Sequence, residues 1–236
     1  ARRGGGRRCA AAAWFSLAAM LVILLSGALA FPASQLTRTS WRTLLPCVMF
    51  VNVGPVGIPL IVLAYGPQGL APAVILLVLS NLLHFTLGSG VMSGRVDWRM
   101  VWANPLVWAT VLGVMFSQLQ WSLPVWLGTP LTMVGSVLGP MMLLALGARL
   151  SSGSLGDVRA GLSSAGVVLA CRLAATYLVL AFIPLQNLER GALILFAVMP
   201  AAVFNFMLAD RYKREPAKVA SMVMAGHFAS LGFLPL

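Results

Sequence analysis

An all-α polytopic membrane protein of roughly eight spans is the fold class this sequence predicts, on three observations. The first is composition. Of 236 residues, 60% are hydrophobic and 9% charged, with mean hydropathy +0.93; a soluble domain carries roughly 25% charged residues. The second is where the charge falls. All five acids (Asp97, Asp157, Glu189, Asp210 and Glu215) lie between apolar runs or at their edges, as do most Arg and Lys. The third is a pair of interruptions. One apolar run reads Phe50-Val51-Asn52-Val53-Gly54-Pro55-Val56-Gly57-Ile58-Pro59, and a later one reads Met199-Pro200-Ala201-Ala202-Val203-Phe204-Asn205. Each puts helix breakers and an amide where an ordinary span carries Leu, Ile and Val.

Apolar runs of roughly 17 to 25 residues read as spans. A low-complexity basic start at 1–12 leads into the first, 9–31. Its rival reading is a signal peptide, since basic, apolar and Phe31-Pro32-Ala33-Ser34 residues follow in that order. About 20 apolar residues are long for a signal's central region. The second span, 44–65, holds the first break. The turn Gly66-Pro67-Gln68-Gly69 leads to the third, 71–92. A loop with Arg95, Asp97 and Arg99 precedes the fourth, 104–119, and a charge-free connection leads to the fifth, 125–150. A Gly/Ser-rich loop follows at 151–160. The sixth span is 161–183, the seventh, 191–209, holds the second break, and the eighth is 217–236. Connections this short leave one membrane domain, 1–236.

The net charge of +11 needs no nucleic-acid partner, because no aromatic-plus-basic face accompanies it. Juxtamembrane basic residues account for it instead. Loops after the odd-numbered spans hold Arg38, Arg42, Arg95, Arg99, Arg149, Arg159, Arg211, Lys213, Arg214 and Lys218. The other side holds Arg190 and the cluster Arg2, Arg3, Arg7 and Arg8. The positive-inside rule makes the first set cytoplasmic, against the N-terminal cluster. Trp98, Trp102, Trp108, Trp121 and Trp126 gather near span ends, as an interfacial belt does. Cys9, Cys47 and Cys171 show neither pairing nor metal-ligand spacing. No nucleophile-plus-base set, phosphate-cradling loop or metal cluster is present, so neither an enzyme nor a bound cofactor is expected.

The two breaks carry the functional reading. In lipid every backbone N–H and C=O must be satisfied within the protein, so irregular backbone survives only where it is buried or lines a cavity. Two interrupted spans at related places point to a secondary transporter's binding site. Gly54, Pro55, Gly57 and Pro59 together preclude an undisturbed helix, and the extended linker is expected near 52–57. A half-helix N-terminus favours an anion, and Asn52 adds an amide. Pro200 and Asn205 do the same in the seventh span, where small Ala201 and Ala202 let the linkers cross. Arg172, a third of the way into the sixth span, reads first as snorkelling to the headgroups and second as counter-charge for an anion. His84, near Asn81 and Thr86, and His227 read as structural before they read as proton relays. No acid lies deep in a span, so proton or sodium coupling would have to use carbonyls, amides or histidine.

Asn52 followed by Gly57-Ile58-Pro59 resembles the Asn-x4-Gly-x-Pro motif of the auxin efflux carrier family, which includes plant PIN-type carriers and bacterial organic-acid permeases. Pro200-Ala201-Ala202-Val203-Phe204-Asn205 followed by Ala209-Asp210-Arg211-Tyr212 resembles its second signature. Asn104-Pro105, Leu146-Gly147-Ala148-Arg149-Leu150 and Arg172-Leu173 also fit, and the likeness runs from Trp14 onward. It implies ten helices in two inverted five-helix repeats, with the fourth and ninth broken and crossing at midmembrane. The present spans are then helices three to ten, with 13–92 the remainder of the first repeat, 104–236 the second, and two helices expected upstream. It also implies a small organic anion as substrate, the bacterial inner membrane as location, and a site of Asn52, Pro55, Pro200 and Asn205, to which the residues themselves add Gly54 and Arg172. A homodimer is compatible with it. The alternatives are a bile acid–sodium symporter-like carrier of another solute, or a non-transporting sensor or scaffold of the same fold.

Overall fold

The computed structural model describes residues 2–94, 102–103, 105–119, 121–151 and 158–233. Helix α1 (Arg2–Thr37) runs through Pro32 and ends where Arg38 takes a left-handed φ of 49°. Helix α2 (Trp41–Met49) forms the first half of the first broken span. A π-helical turn, Val53–Gly57, opens its second half, α3 (Ile58–Tyr65). Gly66, at φ 69°, starts the turn Gly66–Gly69. Helix α4 (Leu70–Leu83) then lies back along α3, with Leu77 beside Gly54. A second π-helical turn, His84–Gly88, joins α4 to α5 (Ser89–Ser93).

The later helices are α6 (Pro105–Gln118), α7 (Val125–Ser151) and α8 (Val158–Phe182). They are followed by α9 (Asn187–Val198), α10 (Val203–Arg211) and α11 (Pro216–Phe233). Helix α8 packs against α1, α9 and α11, and α2 packs on α1. Two apolar clusters result. One joins Phe15, Val22 and Ile23 of α1 to Phe50, Ile61, Leu76, Leu193, Phe196 and Met199. The other joins Ala30, Leu44, Val48, Val168, Ala201, Val203, Leu208, Met222 and Val223. The linkers of both broken spans lie where these clusters meet.

Helices α6 and α7 differ from the rest. Trp108, Val111, Leu112, Val125, Trp126, Val134 and Leu144 are all exposed. A helix apolar on every side fits a hydrocarbon surrounding. Among the described residues, three helical stretches are long and apolar enough to cross a membrane: Ala11–Thr37, Val53–Ser93 and Gly161–Phe182. Neither broken span counts as one such uninterrupted helix, for a physical reason. The breaks leave α2, α9 and α10 with 9, 12 and 9 residues, and at 1.5 Å per residue none alone traverses a core about 30 Å thick. The protein is an all-α integral membrane protein.

Candidate functional site

The two breaks cross and hydrogen-bond to each other. Val51 and Ala201 form an antiparallel bridge. The Asn52 N–H donates to the Pro200 carbonyl at 2.9 Å and the Ala202 N–H to the Phe50 carbonyl at 3.0 Å. Each linker thus satisfies groups that would cost several kcal/mol apiece if left unpaired in hydrocarbon.

The first linker is Phe50–Asn52, not 52–57. Phe50 is extended, at φ −114° and ψ 118°. Asn52, at φ −80° and ψ 66°, centres an inverse γ-turn in which the Val53 N–H reaches the Val51 carbonyl at 2.9 Å. Pro55 falls in the first helical turn, where its missing N–H has no intrahelical partner. The glycines and prolines therefore open the second half-helix and do not form the extended linker. The π register, in which the Gly57 N–H bonds the Asn52 carbonyl at 3.1 Å, carries the ladder past Pro55. Gly54 and Pro55 lie one turn beyond the bridge, Gly54 turned toward Leu77. In the second linker Met199, at φ −61° and ψ 147°, has the extended conformation that a following proline imposes. Helix α10 restarts at Val203.

Side chains complete the crossing. Asn205 is fully buried and its Nδ2 donates to the Phe50 carbonyl at 3.2 Å. Its Oδ1 lies beside His84 without a hydrogen bond of its own. The His84 ring stacks on Phe50 at 4.2 Å between centroids and meets Phe204 edge-on at 5.2 Å. Gly88 makes room for this stack, since a Cβ there would stand 2.8 Å from Phe50 Cε2 and 2.9 Å from His84 Cδ2. Asn52 is 6% exposed, and its Nδ2 lies 3.1 Å from His227 Nε2. His227 Nδ1 is 2.8 Å from the Val223 carbonyl.

Arg172 does not snorkel; it is 3% exposed. Its Nη1 donates to the Met199 carbonyl, one of the acceptors freed by the second break, and its Nε to the Val168 carbonyl at 3.4 Å. A carbonyl released at the C-terminal end of α9 offers the guanidinium an interior partner and a favourable helix dipole, which makes the route to the headgroups unnecessary. With Cys47, Ala165, Ala201, Met222 and Gly226 it lines a small crevice with room for about one water molecule.

Of the residues expected at the site, Asn52, Pro200, Asn205 and Arg172 come together, and Gly54 and Pro55 flank them. His227 also belongs to this group, because it holds Asn52. The signal was available: the chain has two histidines, and each lies in the apolar run that follows a broken one.

At the end that holds Arg38, Glu215 and Lys218, three connections are tied together. Glu215 accepts the Ser40 N–H at 2.9 Å and pairs with Lys218, whose Nζ also donates to the Arg38 carbonyl at 2.8 Å. Arg214 Nε reaches the Met92 carbonyl at 3.3 Å. Partial burial pushes the Glu215 carboxyl up, but the Lys218 and Ser40 donors outweigh it and hold it below the usual carboxylate range. Arg95, Arg99, Asp97 and Trp98 lie outside the described residues.

A family model described as membrane transport protein matches residues 89–236. No match was found among curated proteins or among solved structures. The family match takes in the second break and its flanking helices, more than half of the sequence, and so this chain belongs to the auxin efflux carrier, PIN-like family of membrane transport proteins.

Proposed function

We propose that this protein is a secondary carrier of small organic anions, either auxin-like carboxylates or dicarboxylates. Alternating access would move the remainder of a first repeat, 13–92, against a second, 104–236. The observation that carries this reading is the crossing of two broken spans around a buried cation. Arg172 supplies a fixed positive charge. Asn52 supplies an amide whose present partner is a single imidazole nitrogen. Half-helix N-termini at Val53 and Val203 add positive dipole ends. Asn205 and Pro200 hold the linkers in register, and Gly54 and Pro55 shape the first half-helix. An anion reaching Arg172 when the halves move apart would relieve the cost of burying that charge, about 2.5–3.5 kcal/mol on insertion scales.

Uptake of labelled indole-3-acetate and succinate into proteoliposomes tests this. The wild-type chain is expected to transport at least one of them, and Asn52→Ala to lose transport while retaining expression and a monodisperse detergent profile. Wild-type rates from the double variant Asn52→Ala, Asn205→Ala would remove the site assignment.

A further inference from the structure

We propose that His227 is the residue through which anion binding is coupled to protons, and that it acts by turning the Asn52 amide; this rests on the carrier reading above. The argument begins with the hydrogen-bond inventory. A carbonyl oxygen only accepts, so the 2.8 Å contact with Val223 places a proton on His227 Nδ1. Nε2 is then a lone-pair acceptor, and at 3.1 Å it takes a hydrogen from Asn52 Nδ2. In this neutral state one of the two Nδ2 hydrogens is spent on the imidazole and is withheld from a ligand.

Protonation reverses the roles. A proton from water bonds to the Nε2 lone pair, and the Asn52 N–H to Nε2 bond breaks. The new Nε2–H requires an acceptor, which Asn52 supplies by rotating its amide to present Oδ1. The rotation releases both Nδ2 hydrogens toward the crossing, where they can donate to a carboxylate. Proton uptake and anion affinity therefore rise together, and the coupling is reciprocal.

The surroundings agree with this role. Helix α11 packs against α8, α10 and α2. The charged and titratable groups near His227 on these elements are Arg172 of α8 and Cys47 of α2, both lining the crevice next to Gly226. Cys171 of α8 turns instead to the Leu29 carbonyl. On α10, Asp210 and Arg211 lie at the end distant from the break, as do Arg42 on α2 and Glu215 and Lys218 at the start of α11. The Arg172 cation opposes a second positive charge in the empty site, and a bound anion removes that opposition. His84, the other histidine, is enclosed by Phe50 and Phe204 and lies against Asn205. It contacts the amide that anchors the linkers, so it is not assigned the same role.

Titration calorimetry of indole-3-acetate and succinate with the purified full chain, repeated in buffers of different ionisation enthalpy, counts the protons taken up on binding. For the wild type, proton uptake and an affinity gain of about 5-fold or more between about pH 8 and 6 are expected. His227→Gln keeps an acceptor at the same reach but cannot titrate, so it should bind at the high-pH affinity with no proton uptake. Nitrogen-15 histidine spectra provide a measurement independent of any variant, because the chain has just two histidines. They should show one ring protonated at Nδ1 alone without ligand and at both nitrogens with it. Wild-type binding without proton uptake, an unchanged pH slope in His227→Gln, or an Nε2–H tautomer in the free protein would each overturn this inference alone. Absence of binding by either anion would overturn the carrier reading and this inference with it.

Discussion

The two breaks do the same job by different means. At the first, the chain leaves α2 through the extended Phe50 and the bridged Val51, makes an inverse γ-turn at Asn52 and re-enters helix through a π-helical turn. At the second, one proline forces Met199 extended and α10 simply restarts. Their amides differ in the same way. Asn205 is sealed in and bonded to backbone, whereas Asn52 reaches a side chain that can change its protonation state. The second break is an anchor that also holds the cation through Met199, and the first is the adjustable partner. Related sequence signals can therefore mark residues with unequal duties.

The largest expected effect tests the anchor's charge. Arg172→Met removes a buried cation, and anion affinity, read by calorimetry, should fall by about 2–5 kcal/mol. Thermal stability in detergent should change little, because losing the Met199 contact offsets relief from burying the charge.

Two glycines separate the breaks by stiffness. A methyl at Gly88 meets the Phe50 and His84 rings, so Gly88→Ala should destabilise by about 1–3 kcal/mol. A methyl at Gly57 would stand 2.7 Å from Met199 Sδ, a flexible thioether. Gly57→Ala should be nearly neutral, with up to about 1 kcal/mol of helix entropy offsetting the shift. Equal losses of melting temperature for both would erase the contrast.

The amides come next. Asn205→Ala should lower unfolding free energy by about 0.5–1.5 kcal/mol, the worth of a typical internal hydrogen bond. Asn52→Ala should cost less than that while losing transport. The reverse order in denaturant titrations would exchange the two roles.

The smallest effect lies outside the membrane. The Glu215 carboxyl is held below the usual carboxylate range in the folded protein. The unfolded chain therefore binds that proton more tightly, so the contribution is present above the ordinary carboxylate value, about pH 4.3. It is lost as pH falls from there through the lower folded value. Because Glu215 is partly solvent-accessible and its partner Lys218 is exposed, the contribution should stay below about 1 kcal/mol. Glu215→Gln should flatten that acid limb in pH-dependent melting and leave neutral-pH uptake intact.

Much of this was legible in the chain. Pro200 and the cluster from Gly54 to Pro59 located both breaks, because proline's missing N–H and glycine's entropy are local properties. Ala201 and Ala202 indicated a crossing. Where the first linker runs was not legible, since Pro55 is equally consistent with a linker and with a helix's first turn. Only the cross-chain bonds to Pro200 and Ala202 decide between them. The interior partner of Arg172 is not legible for a similar reason. Its partner is a carbonyl freed by a break in another helix, and no spacing within its own helix reports that. His227 bonds a residue 175 positions away, a separation that periodicity cannot see.

The bridge between the breaks also constrains how the chain is made. Asn205 and the Phe50 carbonyl are 155 positions apart, and the linker bonds span a similar interval. At about 5–20 residues per second of synthesis, the first linker waits on the order of ten seconds for its partners. During that time its extended backbone has no internal acceptor or donor to use. The nascent first half is therefore expected to remain unfinished at the insertion machinery, shielded from lipid, until the seventh apolar run emerges. The crossing can close only when both of its linkers have been made.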